Sequence, residues 1–197
     1  MSMVPFTGVV LTGGRSTRMG RDKSLLKLNG RALTSVVGAA LVEAGANEVL
    51  AVGGNLAALA ELEEIDRVIP DEYPGEGPLG GILTALRSAA NDVVVVFACD
   101  TPDMDAATPA RLVEYLTKFP DAAVAYALVD GRAQPLTAAW NRGLAFPALR
   151  EAFERGERAP RNVFPELKVV EVTALSALAV DDVDHPDDLQ RYAAGSQ

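Results

Sequence analysis

Short apolar, β-branched runs alternate with stretches of helical periodicity along most of the chain. Residues 8–12 (GVVLT) form the first such run, and glycines follow it directly, which predicts a buried opening strand. From Arg31 onward, Leu33, Val36, Val37, Ala40, Leu41 and Ala44 keep the spacing of one helix face, and Gly45 stands where a C-terminal cap would. Residues 48–52 (EVLAV) predict a second strand, closed by Gly53 and Gly54. A weaker helix over 55–64 and a brief strand over 67–70 come next. The segment 71–81 (DEYPGEGPLGG) holds two prolines and four glycines, so it predicts a loop, continued by a helix over 82–90. Residues 92–98 (DVVVVFA) are apolar on both faces, as in a central parallel strand. Thr108 and Pro109 read as N-cap and first turn of a helix whose apolar face is Leu112, Tyr115, Leu116 and Phe119.

Strands over 122–128 and 134–139 flank an Asp130-Gly131 turn, the signature of an antiparallel hairpin. An amphipathic helix over 144–155, a late strand over 168–172 and a short helix over 186–193 complete the pattern. No repeat or linker interrupts it, so the expectation is a single domain, 1–197. Its fold class is α/β, a three-layer arrangement with a mostly parallel twisted sheet, helices on both faces and a small antiparallel hairpin in the C-terminal third.

Composition narrows the chemistry. With 49% hydrophobic and 23% charged residues the chain reads as soluble and globular. No apolar run approaches the roughly 20 residues that span a bilayer, and the N-terminus MSMVPFTG lacks a signal-peptide pattern. Cytoplasm is the expected setting, and the single cysteine, Cys99, excludes an internal disulfide. The single histidine, His185, argues against histidine-centred metal sites and Ser-His-Asp triads. A formal charge of −9 argues against nucleic-acid and anionic-membrane partners. Against that balance, residues 9–30 concentrate Arg15, Arg18, Arg21, Lys23 and Lys27 beside one acid, Asp22.

A glycine-rich turn at the carboxyl edge of a parallel sheet sits where such sheets bind ligands. Gly13 and Gly14 permit close backbone approach, so that their N–H groups face phosphate oxygens, with Arg18 and Lys23 supplying full charge; a tight turn under a solvated basic surface is the alternative. The spacing fits neither G-x-x-x-x-G-K-[ST], since Arg21 and Asp22 follow Gly20, nor G-x-G-x-x-G. Asp100 comes directly after the central strand, where it is either a Mg²⁺ ligand or a turn residue before Pro102.

The run L-T-G-G-R-S-T-R-M-G-R-D-K (residues 11–23) resembles the L-x-G-G-x-S-x-R-M-G-x-D-K signature of small nucleotidyltransferases. Within that superfamily the chain is most similar to MobA-type molybdenum cofactor guanylyltransferases. The similarity continues in order through V-I-P-D (68–71), G-P-L-G-G (77–81), C-D-T-P (99–102), Q-P (134–135), G-E-R (156–158) and D-V-D-H-P-D-D-L (182–189). The resemblance implies a Rossmann-like nucleotidyltransferase fold and transfer of GMP from GTP to the phosphate of molybdopterin cofactor, with Mg²⁺, releasing pyrophosphate. It implies catalytic roles for Lys23, Arg18 and Asp100, and nucleotide contacts from Leu11, Thr12, Gly13, Gly14, Lys23, Asp71, Gly77 and Asp100. Asp100 is the implied metal ligand, with Asp184 a secondary candidate. Transient molybdoenzyme or cofactor-handover partners follow from the same likeness.

Two departures matter. Where such guanylyltransferases often carry N-x-N-T-P, this chain has Asp182-Val183-Asp184-His185-Pro186, a pair similar to that of cytidylyltransferase-like members. A nucleotide-contacting asparagine after the second strand is replaced by Val52 or Gly53. The alternatives are therefore a CTP-dependent enzyme, a sugar- or alditol-phosphate nucleotidyltransferase, or a nucleotide-binding protein without turnover. Arg158 and Arg161 either grip an acceptor phosphate or cover a helix end, and Trp140 reads as core packing rather than a stacking platform.

Overall fold

The computed structural model describes residues 4–13, 23–101, 104–173 and 175. Its strands are β1 (Phe6–Leu11), β2 (Lys27–Leu28), β3 (Arg31–Ala32), β4 (Glu48–Val52), β5 (Arg67–Ile69), β6 (Val93–Ala98), β7 (Val124–Val129), β8 (Arg132–Asn141) and β9 (Val169–Val172). Its helices are α1 (Leu33–Glu43), α2 (Leu56–Leu59), α3 (Pro78–Ser88), α4 (Ala107–Lys118) and α5 (Arg142–Glu154). Seven strands form one sheet in the order β5-β4-β1-β6-β8-β7-β9, parallel except where β8 runs against β6 and β7. The mostly parallel α/β architecture is as expected.

Strand alternation sends side chains to both faces, and helices cover both. Val9, Leu11, Leu50, Val52, Val94 and Val96 meet α3 and α5 on one side. Phe6, Val10, Val49, Ala51, Val95 and Phe97 meet α1 and α4 on the other. This explains why β1 is buried along its whole length. Among the described residues, no helix is long and apolar enough to cross a membrane.

The chain winds from β1 outward through β4 to β5, then returns to lay β6 on the opposite side of β1. Strand order therefore reverses at β1 and β6, and a crevice opens beyond the carboxyl ends of strands at such a point. Leu11 pairs with Ala98 at that end, and the Cys99 N–H donates to the Leu11 carbonyl at 3.2 Å. Residues just after each strand, Thr12 and Gly13 on one and Asp100 on the other, are thus held side by side.

Several local expectations need correction. The helix over 55–64 is a single turn, capped by Asn55, whose side chain accepts from the Ala58 N–H. Beyond it the Leu62 and Ile65 N–H groups bond three residues back, to Leu59 and Leu62, because Leu59, Leu62 and Ile65 face inward at three-residue spacing. α3 begins at Pro78 rather than Ile82, so two glycines assigned to the loop are helical. Gly80 is there for close packing: a Cβ on it would lie 2.7 Å from the Tyr73 Cβ. Thr108 is not the cap of α4. Asp105 accepts both its N–H, at 2.9 Å, and its hydroxyl, at 2.8 Å. Phe119 lies past the last turn of α4 and is 48% exposed, so it leaves the apolar face.

The hairpin turns at Asp130-Gly131 as expected, joining β7 to β8 within the main sheet. A smaller hairpin, β2–β3, turns at Asn29-Gly30 and has no counterpart in the sequence reading. The predicted helix over 186–193 lies outside the described residues.

Candidate active site

A cleft of about 1320 Å³ opens at the carboxyl end of the sheet. Leu11, Thr12, Gly13, Lys23, Asp71, Gly77 and Asp100 all line it, so every nucleotide-site candidate within the described residues converges on one place. Gly14, Arg18 and Asp184 lie outside the described residues, as do Asp182 and His185.

Two opposite charges face each other in the cleft. Lys23 opens a 3-10 turn, Lys23–Leu25, and its Nζ lies 3.4 Å from Asp100 Oδ2. Their side chains are only 17% and 22% exposed. The turn is anchored to α1, because the buried Thr34 hydroxyl donates to the Ser24 carbonyl at 2.8 Å and Leu33 N–H donates to Leu26. A lysine so placed keeps its charge at the cleft without relying on the flexible reach of its stem.

The floor is built from glycines and bound backbone. Thr12 and Gly13 both donate their N–H groups to the Val52 carbonyl, at 2.9 and 3.1 Å. The Thr12 hydroxyl reaches the carbonyls of Val52 and Gly53 at 2.9 and 3.0 Å. The expectation that Gly13 aims its N–H at phosphate is therefore corrected: this donor and both of Thr12's are spent on the end of β4 and the Gly53 that follows it. What Gly13 contributes is room. A Cβ on Gly53, whose φ is +84°, would come within 2.9 Å of the Gly13 Cα, so the two loops touch backbone to backbone.

Asp71 stands opposite, after β5. Its Oδ1 accepts the Tyr73 N–H at 2.9 Å and lies 3.3 Å from the Thr84 hydroxyl. Its Oδ2 faces Gly13, 3.6 Å from where a Cβ would sit. Gly77 caps α3 with φ +82° against Arg158. Arg158 itself is occupied: its Nε donates to Glu76 at 2.6 Å, and its guanidinium lies over Phe153 at 4.2 Å and donates to the Phe153 carbonyl. It clamps the 71–77 loop. Trp140 is fully buried, as expected of core packing.

Sequence reasoning missed Leu56, Pro74, Gly75 and Leu136, which also line the cleft. Leu136 falls where β8 loses register with β7 between Tyr126 and Ala127. Such an irregularity re-aims a side chain and leaves no pattern in the sequence.

Among the described residues no three histidine, cysteine or acidic side chains converge. The Asp100 carboxylate at the cleft still fits a hard cation that takes most of its shell from water and phosphate oxygens.

The MobA-like NTP transferase domain family matches residues 8–171. The chain belongs to that family. It is 43% identical over 110 residues to a molybdenum cofactor guanylyltransferase of Xanthomonas euvesicatoria, a stretch covering 55% of this chain and 54% of that protein. It is 37% identical over 156 residues to a molybdenum cofactor guanylyltransferase of Serratia proteamaculans, covering 77% of this chain and 75% of the relative. The fold matches that of the molybdopterin-guanine dinucleotide biosynthesis protein A from Archaeoglobus fulgidus, with a TM-score of 0.78 and 24% identity over 95% of this chain and 97% of that one.

Proposed function

We propose that residues 1–197 act as one nucleotidyltransferase domain that moves GMP from GTP onto the phosphate of molybdenum cofactor and releases pyrophosphate. The observation that carries the reading is the Lys23–Asp100 pair, 3.4 Å apart at the mouth of a cleft whose other walls are glycine loops and Asp71. The relatives named above share the chain's family and carry the guanylyltransferase name.

The acceptor phosphate is already ionised, so it attacks the α-phosphorus without a general base. Alignment and charge neutralisation then supply the rate. Lys23 sets an ammonium against the triphosphate and the charge that gathers on departing pyrophosphate. The glycine floor at Gly13 and Gly53 lets the nucleotide lie close to the backbone, and Asp71 accepts hydrogen bonds from it. Asp100 would hold Mg²⁺, which when bound neutralises phosphate charge. Arg18 adds a second cation from the same basic loop. The reading includes a cytoplasmic setting, no nucleic-acid or membrane partner, and transient handover to molybdoenzymes.

Four nucleoside triphosphates, each mixed with molybdenum cofactor and Mg²⁺ and scored for dinucleotide product, test this directly. GTP alone should yield product. Reaction with CTP alone would overturn the choice of base and keep the reaction class.

A further inference from the structure

One buried hydroxyl behind Asp71 does more than fill the core. Thr84 is fully buried on α3, one turn after the Gly80 whose carbonyl its hydroxyl reaches at 3.1 Å. That bond is the usual resting place of a mid-helix threonine. Here the same oxygen also accepts the Glu72 N–H at 3.2 Å, and its one hydrogen is shared between the Gly80 carbonyl and Asp71 Oδ1, 3.3 Å away. It therefore ties the Asp71–Glu72 backbone and the Asp71 carboxylate to a rigid helix. The Tyr73 N–H holds the same Oδ1 from the other side at 2.9 Å. With Oδ1 gripped twice, the carboxylate can present only Oδ2 to the cleft floor at Gly13.

We infer that Thr84 is a positioning residue for nucleotide recognition: it fixes the rotation of the Asp71 carboxylate so that one oxygen is reserved for the nucleotide. The inference rests on the reading that Asp71 contacts the nucleotide. Valine at this position keeps the shape but removes the acceptor for Glu72 N–H and one of the two groups holding Oδ1. Serine keeps the hydroxyl.

The test is GTP binding and steady-state kinetics of the full chain with Thr84→Val, Thr84→Ser, Asp71→Ala and the Thr84→Val/Asp71→Ala double variant, each checked for folding by thermal melting. Thr84→Val should weaken GTP about tenfold in Kd and KM, the scale of one orphaned buried hydrogen bond, and leave kcat within about twofold. Thr84→Ser should restore GTP binding. In the Asp71→Ala background, Thr84→Val should cost nothing further in Kd. An unchanged Kd in Thr84→Val, or an equal loss in both backgrounds, overturns the inference, as does failure of the serine variant to recover. If Asp71→Ala itself binds GTP normally, the role assigned to Asp71 fails first, and the positioning role fails with it. If Asp71→Ala weakens GTP while Thr84→Val does not, only the positioning role fails.

Discussion

The two ends of the sheet use charge in opposite ways. At the amino end, polar side chains at the strand starts pair with one another and with nearby backbone. Glu48 takes Arg67 at 2.6 Å on one oxygen, and the Thr7 hydroxyl and the Ala90 N–H on the other. Arg142 ties Asp92 at 2.7 Å and the Ala89 carbonyl at 2.8 Å. Asn91 donates to Thr7 from both backbone and side chain. At the carboxyl end, the N–H groups of Thr12, Gly13, Gly53 and Cys99 are likewise bonded within the protein, but the carboxylates of Asp71 and Asp100 and the ammonium of Lys23 line an open cleft. The same topology builds both ends. What separates them is that strand ends close with long side chains at one end and with glycines at the other, which leaves space for a ligand instead of a protein partner.

Variants at the two ends should therefore separate activity from stability. The largest expected effect is Lys23→Ala, which should lower turnover about 100-fold to 1,000-fold, the scale of losing one transition-state donor, with the melting temperature nearly unchanged. A large loss of stability with near-normal turnover would move Lys23 into the structural set. Gly53→Ala comes next, because its positive φ and the 2.9 Å approach to Gly13 leave no place for a methyl group. Chemical denaturation should show a loss of about 1–3 kcal/mol, with a raised KM for GTP as the floor shifts.

Glu48→Ala probes the opposite end. It should cost about 1–3 kcal/mol by orphaning partly buried donors, and leave kcat/KM within about twofold. A matching fall in activity would break the contrast between the ends. The smallest effect concerns neither end but the sheet between them. Burial pushes the Tyr126 hydroxyl up to about 12 from its usual 10, and its 2.9 Å hydrogen bond to Glu171 adds to the shift. The folded state holds this proton more tightly than the unfolded chain. Its contribution is therefore complete below pH 10 and is lost as pH rises through 12. Denaturation across that range should show a falling limb that Tyr126→Phe flattens.

Elements with one unambiguous period were legible in the sequence. β4 starts and ends where EVLAV does, β6 within a residue of its apolar run, and α1 follows its inward-facing stripe. The rule that ligands bind beyond the carboxyl ends of parallel strands pointed to Gly13, Lys23 and Asp100, and the family resemblance added Leu11, Thr12, Asp71 and Gly77, which line the same cleft. Where two signals competed, the reading erred. Gly80 and Gly81 look like loop residues until Tyr73 and Leu11 are seen packing against them. Asn29-Gly30 is a strong hairpin signal that the basic loop overshadowed. The spending of the Gly13 N–H on Val52 was beyond any sequence pattern, since it depends on how closely two loops from separate strands approach.

On the proposed function, Lys23 and Asp100 face one another because they share a metal-bound triphosphate. A crystal structure with Mg²⁺ and a non-reacting GTP analogue tests it most directly. The expected result is metal density coordinated by an Asp100 oxygen, with phosphate oxygens in contact with Lys23. A nucleotide seated in the cleft with its metal and phosphates away from both residues would contradict it.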